Sequence, residues 1–230
     1  MQNGKFKIKF NKDDGTISSI KIAGDRHDMN WCAENGRWGY VHNVNYDNIW
    51  GDYKSRMKEM RLVNFLENDT NAVSVYTNDI LQVTVNRSFD CDGNLVERFT
   101  FKNLVYADAF LSEYNCGIEV PFNDRYTYAD DCLVHRCNTH IWCGLDSTYV
   151  NALRMGVSDL NLGLVVTKGS FGNYSVLDCG GNKRGRFVLN LSPAEIKQGE
   201  QYVTEWTVFV HGGKESFVKK ALAYSQYIHI

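Results

Sequence analysis

Hydrophobic residues recur at every second position in several short stretches, which is the pattern of half-buried β-strands. At the start of the chain, KFKIKF places Phe6, Ile8 and Phe10 on one face, and the polar segment NKDDGT predicts a turn into a second strand, ISSIKI. A second β block begins near Met60 and includes the alternating stretch NLVERFTFKN. The turn before that stretch contains Asp92–Gly93, which is a strong hairpin signal.

Further strands are predicted along the rest of the chain. Their ranges are Ala109–Val120, Arg136–Cys143, Tyr149–Arg154, Leu162–Thr167, Tyr174–Leu177, Arg186–Leu191 and Tyr202–Val210. Short strands of this spacing predict a large antiparallel sandwich or barrel, here with roughly 12 to 18 strands of about five to six residues.

The periodicity changes from two to that of a helix at the end of the sequence. Phe217, Ala221, Tyr224 and Ile228 fall at helical spacing in KESFVKKALAYSQYIHI. We therefore predict a β domain over residues 1–213 and a helix over 214–230. A lone amphipathic helix after an all-β body often leads into another domain, so we expect this chain to be one module of a larger protein.

The segment Gly24–Lys58 follows neither period, and a loop of this length is usually functional or part of an interface. Its aromatic residues are interspersed with Asn, Asp and Glu, and they include Trp31, Trp38, Tyr40, Tyr46, Trp50 and Tyr53. Sugar rings stack on Trp and Tyr while their hydroxyls pair with polar groups, so this loop is a candidate carbohydrate site. Alternatively, the aromatic side chains pack the loop against the sandwich or a neighbouring domain.

Composition narrows the classes of partner. The 230 residues are 43% hydrophobic, which suffices for a large core, and the net charge is −2 with both signs interspersed. The sequence has no polybasic segment, so nucleic acid and anionic membranes are not expected as partners. It also has no apolar run of the length and position that would predict a transmembrane helix or a signal peptide. The seven cysteines are an odd number, so free thiols and a cytoplasmic location are expected.

Other candidate chemistry is weaker. CLVHRCNTHIWC, residues 132–143, contains three cysteines and two histidines, but their spacing does not gather four ligands, so no metal site is predicted. Asp130–Asp131, the pair Glu113 and Glu119, and Glu205 are possible acid/base residues without a defining pattern. No cofactor motif occurs, and no cofactor is expected.

Several segments resemble the galactose mutarotase-like, or supersandwich, domain. They are NTHIWCGLDSTYVNALRMG, NLGLVVTKGSFGNYSV and FVLNLSPAEIKQGEQYVTEWTVFVHGG, together with ERFTFKN at 97–103. The resemblance implies an all-β, two-sheet antiparallel supersandwich. It also implies a C-terminal (α/α)6-barrel catalytic domain on the same polypeptide, because this domain often precedes such a barrel in glycoside hydrolases and related enzymes. The closing helix then resembles the linker to that barrel.

The favoured function is thus an N-terminal accessory domain of a carbohydrate-active enzyme, expected to be a glycoside hydrolase. The residues proposed for sugar or interdomain contact are Trp31, Arg37, Trp38, Trp50, His140, Trp142 and Arg154, whereas Trp206 is assigned to the core. One alternative is a stand-alone aldose 1-epimerase with His140 as acid and Glu205 as base; Asn138 and His140 resemble part of the mutarotase motif, but Thr139 intervenes. Another alternative is a purely structural or interaction domain.

Overall fold

The computed structural model describes most of the chain. The described residues are 1–25, 28–33, 35–42, 59–78, 80–105, 109–111, 116–123, 126–128, 133–135, 140–142, 152–155, 160–169, 171–176, 184–191 and 194–225. Within these ranges the chain forms eighteen strands and one helix, at the upper end of the predicted number of strands.

The strands are short, as the sequence predicts. The first nine are β1 (Phe6–Phe10), β2 (Ile17–Ile22), β3 (Val41–His42), β4 (Arg61–Glu67), β5 (Asn71–Thr77), β6 (Leu81–Phe89), β7 (Leu95–Asn103), β8 (Ala109–Leu111) and β9 (Gly117–Asn123). The next nine are β10 (Tyr126–Tyr128), β11 (Leu133–His135), β12 (His140–Trp142), β13 (Ala152–Met155), β14 (Asn161–Lys168), β15 (Phe171–Val176), β16 (Arg184–Leu191), β17 (Ala194–Ile196) and β18 (Gln201–His211). The helix is α1 (Lys214–Ser225).

Two antiparallel sheets dominate the described structure. The larger has eight strands in the order β12-β13-β14-β18-β7-β6-β5-β4, and the smaller has four in the order β15-β16-β9-β3. Three two-stranded pairs, β1-β2, β10-β11 and β8-β17, complete the described β-structure. This arrangement is the all-β sandwich that the sequence predicts. The predicted strand 109–120 is divided in the structure into β8 and β9.

The core lies between the large sheet and the layer made by the small sheet and the β1–β2 hairpin. Alternation puts every second residue of β6 and β7 into this core, and Phe99 of β7 packs on Trp206 of β18 with ring centroids 4.8 Å apart. Ile118 and Val120 of β9 and Ile8 of β1 meet them from the other layer. Trp206 is fully buried, so its assignment to the core is confirmed.

Helix α1 covers part of the opposite face of the large sheet. Phe217 and Ala221 are fully buried against Val165 of β14 and Phe209 of β18, and the rings of Phe217 and Phe209 stack 5.8 Å apart. Tyr224 also packs here, so three of the four residues predicted to share one helical face do so. The fourth, Ile228, lies outside the described residues, and the role of the helix as a linker stays a prediction.

Two other expectations can be compared with the described residues. Cys32, Cys91 and Cys116 are free thiols, as predicted, while the other four cysteines lie outside those residues. No helix in the described part of the chain is long and apolar enough to cross a membrane.

Candidate functional site

A buried carboxylate anchors the beginning of the aromatic loop. Glu97 of β7 accepts hydrogen bonds from the indole Nε1 atoms of Trp38 and Trp206 at its Oε2, each at 2.7 Å, and from Arg87 Nε at its Oε1 at 2.9 Å. The side chains of Glu97 and Arg87 are fully buried. These charge-assisted bonds are stronger than neutral ones, and they tie the loop to three strands of the large sheet.

Gly39 allows the loop to approach this ion pair closely. Its φ is +81°, and a Cβ at this position would lie 2.8 Å from Arg87 Nη2 and 3.0 Å from Glu97 Oε1. Any other residue would therefore be strained and would also collide with the pair. Arg87 Nη1 donates to the Gly15 carbonyl and to Ser74 Oγ, so the buried guanidinium also holds the β1–β2 turn in place.

A second buried carboxylate fixes the same segment from the small sheet. Glu119 of β9 is fully buried and accepts the Arg37 backbone N–H at 3.2 Å, and Arg37 Nε lies 3.9 Å from its other oxygen. Backbone bonds join Gly39 N–H to the Glu119 carbonyl and Glu119 N–H to the Tyr40 carbonyl. Arg37 and Trp38 are therefore held by different glutamates, one from each sheet.

This arrangement extends from the buried Glu119 to the surface through a group of four residues, which we call the Arg37 cluster: Arg37, Tyr40, Glu59 and Glu119. The Arg37 guanidinium lies 3.7 Å from the centroid of the Tyr40 ring and 3.9 Å from Glu59 Oε1. The Tyr40 hydroxyl contacts Glu59 Oε1 at 3.0 Å and the Met60 carbonyl at 3.2 Å. Glu59 is 78% exposed and the Arg37 side chain 33%, so both can be reached from solvent.

The cluster combines groups that recognise acidic or hydroxylated ligands. Arg37 presents planar N–H donors suited to a carboxylate, and the exposed Glu59 carboxylate can accept hydrogen bonds from hydroxyls. Burial raises the pKa of Tyr40 to about 12, against the counteracting charge of Arg37. Tyr40 is therefore protonated at neutral pH and acts as a hydrogen-bond donor. The four residues of the cluster are therefore better suited to binding and orienting a ligand than to removing a proton from it.

The structure corrects two of the predicted contact residues. Trp31 and Trp38 are 1% and 0% exposed and belong to the core, so neither ring is available to stack on a sugar or a second domain. For these two residues the alternative interpretation, that the aromatics pack the loop against the sandwich, is confirmed. Arg37 retains exposed surface, whereas Trp50 lies outside the described residues.

The other predicted contact residues lie at the far edge of the large sheet. His140 pairs with Arg154, and Trp142 pairs with Ala152, across strands β12 and β13. Arg154 in turn pairs with Gly163 of β14, the position against which Phe209 and Phe217 pack. The structure therefore brings His140, Trp142 and Arg154 together on adjacent strands. Arg37 belongs to a different part of the fold, beside β9 of the small sheet.

The strand register separates the proposed epimerase pair. His140 shares a row of the sheet with Phe209, whereas Glu205 lies four residues away on the same strand as Phe209. Three strand spacings and four residues put the two backbone positions about 19 Å apart. Glu205 is also engaged locally, since Arg98 Nε donates to it at 2.6 Å and Thr167 Oγ1 at 3.0 Å. This placement does not favour the two residues acting on one bond.

Sequence reasoning did not identify Glu59, and it noted Tyr40 and Glu119 without placing them together. The clearest available signal was Glu119 itself, because a carboxylate between Ile118 and Val120 in a strand needs a partner when it is buried. Its pairing with a loop 82 residues earlier in the chain has no local signature.

Known proteins give a fold-level comparison. No family model and no curated protein matches the chain. Among solved structures, a galactose mutarotase-related enzyme from Lactobacillus acidophilus superimposes with a TM-score of 0.57 at 12% identity, covering 94% of this chain and 98% of its own. The chain has the galactose mutarotase-like supersandwich fold. A protein from Synechocystis sp. PCC 6803 has the same fold at 8% identity, with a TM-score of 0.51 and coverage of 92% and 99%.

A larger enzyme contains a more similar supersandwich. A polysaccharide lyase matches 97% of this chain with a TM-score of 0.76 and 28% identity. This chain spans only 35% of that lyase. The structural neighbours thus include a mutarotase-related enzyme and a Synechocystis protein, both of matching length, and one part of a much longer polysaccharide lyase.

Proposed function

We propose that this supersandwich is an accessory domain of a carbohydrate-active enzyme that degrades an acidic polysaccharide. The observation that carries the proposal is the match to the polysaccharide lyase, which extends over 97% of this chain at 28% identity. The sequence alone favoured a glycoside hydrolase, and this similarity makes a lyase the preferred class. A catalytic domain on the same polypeptide, whether the predicted (α/α)6-barrel or another, completes the proposal.

The Arg37 cluster suggests how the domain would contribute. A lyase acting on a uronic acid removes the proton on the carbon next to the carboxylate. A C=C bond forms as the glycosidic C–O bond breaks, and the departing oxygen takes up a proton. Neutralising the carboxylate makes the first step easier, because negative charge develops beside it. The partly exposed Arg37 guanidinium is suited to that role, and it is held in place by Glu119 and Tyr40.

The test compares two arginines that differ in location. Arg37→Met removes the cluster guanidinium, and Arg98→Met removes a guanidinium that pairs with Glu205 on the large sheet. Binding of polygalacturonate and hyaluronan, with neutral amylose as control, is measured by calorimetry on the 230-residue chain. We expect Arg37→Met to weaken acidic-polysaccharide binding about tenfold, as for loss of one charge-assisted contact, and Arg98→Met to leave it unchanged.

Two results would contradict the proposal. Equal binding of acidic and neutral polysaccharides would remove the role of the guanidinium, and an unchanged affinity in Arg37→Met would remove the cluster from the site. Absence of any binding would favour the purely structural or interaction domain. Mutarotation of glucose by the intact chain, followed by polarimetry, would revive the aldose epimerase alternative.

A further inference from the structure

A second candidate site lies between helix α1 and the β1–β2 hairpin. A cleft of about 300 Å³ is bounded by the chain near Gly4 and Lys5, the end of β2, the end of β18 and Lys220 of α1. We call it the lysine cleft. Its volume is at the lower end of the range for ligand pockets and is suited to one small molecule.

Both charged side chains that line the lysine cleft are basic. Lys5 and Lys220 line it from distant parts of the sequence, and none of the described residues that line it is acidic. Lys220 Nζ donates to the Val210 carbonyl at 2.6 Å, which holds the ammonium at the cleft wall. Lys5 Nζ lies 3.4 Å from Asn94 Oδ1. Each ammonium carries three donors, so donors remain on both for a ligand.

The Lys5 ammonium is close enough to Lys220 to disfavour the charge on Lys220. Burial, and then the Lys5 charge, lower the pKa of Lys220, while Asp92 acts weakly in the opposite direction. A bound anion would relieve this repulsion between like charges. Ile22, Leu160 and Val210 give one part of the wall an apolar surface of methyl groups, and His211 also lines the cleft. Paired cations beside an apolar wall fit a ring that carries one oxyanion.

We propose that the lysine cleft binds a single acidic sugar unit, with its carboxylate or sulfate between Lys5 and Lys220 and its ring against the apolar wall. The sugar part of this inference rests on the proposed carbohydrate function. The cleft is lined by none of the Arg37 cluster residues, so it is a second contact point for an acidic polysaccharide. It would hold the chain away from the reacting unit.

Gly4 offers a way to block the lysine cleft with little effect on folding. A Cβ at Gly4 would have no atom within 4 Å, and Gly4 does not have a positive φ. Gly4→Leu should therefore fold normally while its side chain enters the open space. Lys5→Met and Lys220→Met remove the charges. Lys7→Met and Lys219→Met are matched controls, since both lysines are exposed neighbours outside the cleft.

The experiment follows methyl NMR signals of Ile22, Leu160 and Val210 in the 230-residue chain at low ionic strength. The probes are sodium glucuronate, glucose 6-sulfate, inorganic sulfate and neutral glucose. We expect saturable shifts with one or both acidic sugars, and a Kd raised roughly tenfold or more in Gly4→Leu, Lys5→Met and Lys220→Met. Lys7→Met and Lys219→Met should bind like the wild type. A response to glucuronate alone identifies the carboxylate as the anion, and a response to the sulfated sugar alone identifies the sulfate.

Other results would overturn the inference. They are an absence of shifts, a response to inorganic sulfate alone, an equal response to neutral glucose, or unchanged affinity in Gly4→Leu and Lys220→Met. Failure of this inference can be distinguished from failure of the proposed function. The lysine variants are read on monosaccharides at the lysine cleft, whereas Arg37→Met is read on polysaccharides at the Arg37 cluster.

Discussion

Replacing Glu97 by Gln should strongly destabilise the domain. The Glu97 carboxylate accepts two indole N–H groups at one oxygen and the Arg87 Nε–H at the other. A Gln amide keeps one oxygen and presents an NH2 group in place of the other. Whichever way the amide turns, its NH2 group faces a buried N–H donor, and Arg87 loses its counter-charge.

The magnitude follows from the burial of both side chains, which are fully inaccessible. Breaking one partner of a buried ion pair costs roughly 3–5 kcal/mol, so we expect the free energy of unfolding to fall by about 4 kcal/mol. For a domain of this size that loss lowers Tm by roughly 10 °C. Removing both charges together, in Arg87→Met with Glu97→Met, should cost clearly less than the sum of the two single changes.

The assay is urea unfolding, followed by far-UV circular dichroism and by tryptophan fluorescence, since Trp38 and Trp206 contact Glu97 directly. Glu205→Gln is the matched control, because Glu205 also pairs with an arginine of the adjacent strand, but that arginine is 53% exposed. We expect the control to change stability by less than about 1 kcal/mol. The reasoning is refuted if Glu97→Gln is no more destabilising than Glu205→Gln.

Three further outcomes are expected. Gly163→Ala should loosen the packing of α1 and lower the free energy of unfolding by about 1–3 kcal/mol, because its Cβ would lie 2.5 Å from the Phe209 ring and 3.0 Å from that of Phe217. Hydrogen exchange in 214–225 should be faster in this variant than in Leu222→Ala, which changes an exposed position of the same helix, and equal exchange would contradict the prediction. Burial raises the pKa values of Tyr40 and Tyr224 to about 12 from an ordinary value near 10, so the stability of the fold should decrease as pH rises from about 10 to 12. The melting temperature of Tyr40→Phe should decrease less than that of the wild type over this pH range, and identical profiles for the two proteins would contradict the prediction. Iodoacetamide should label the exposed Cys91 in the native protein and leave Cys116 unlabelled, because burial raises the pKa of Cys116 to about 12. Peptide mass spectrometry measures both, and early labelling of Cys116 would contradict its burial.

The spacing of hydrophobic residues predicted which side chains of a single strand or helix share a buried face. The alternating stretch NLVERFTFKN places Leu95, Glu97, Phe99 and Phe101 on one face of a strand, and in β7 all four are buried. The helical spacing of Phe217 and Ala221 likewise predicted the face that packs on the sheet. In both cases the period of the backbone decides which side chains share a surface, and the period is visible in the sequence.

The candidate site depended on contacts that spacing cannot reveal. Trp31 and Trp38 lie in a polar, aromatic segment typical of a ligand loop, yet both are buried. The partner that draws Trp38 inward is Glu97, 59 residues later in the chain. Arg37 was identified by its residue type and its loop. Its arrangement with Glu119 depends on the pairing of β3 with β9, which brings the loop against the small sheet.

The central position of β18 has a consequence for biosynthesis. This strand pairs with β14 on one side and with β7 on the other, so it joins the two halves of the eight-stranded sheet. Until residues 201–211 have been synthesised, the hairpins from β4 to β7 end in an open edge whose backbone groups are unpaired. Such edges recruit strands from other chains. A nascent chain released before Gln201 would therefore present two aggregation-prone edges, and the solubility of the growing polypeptide should improve abruptly once that one strand is complete.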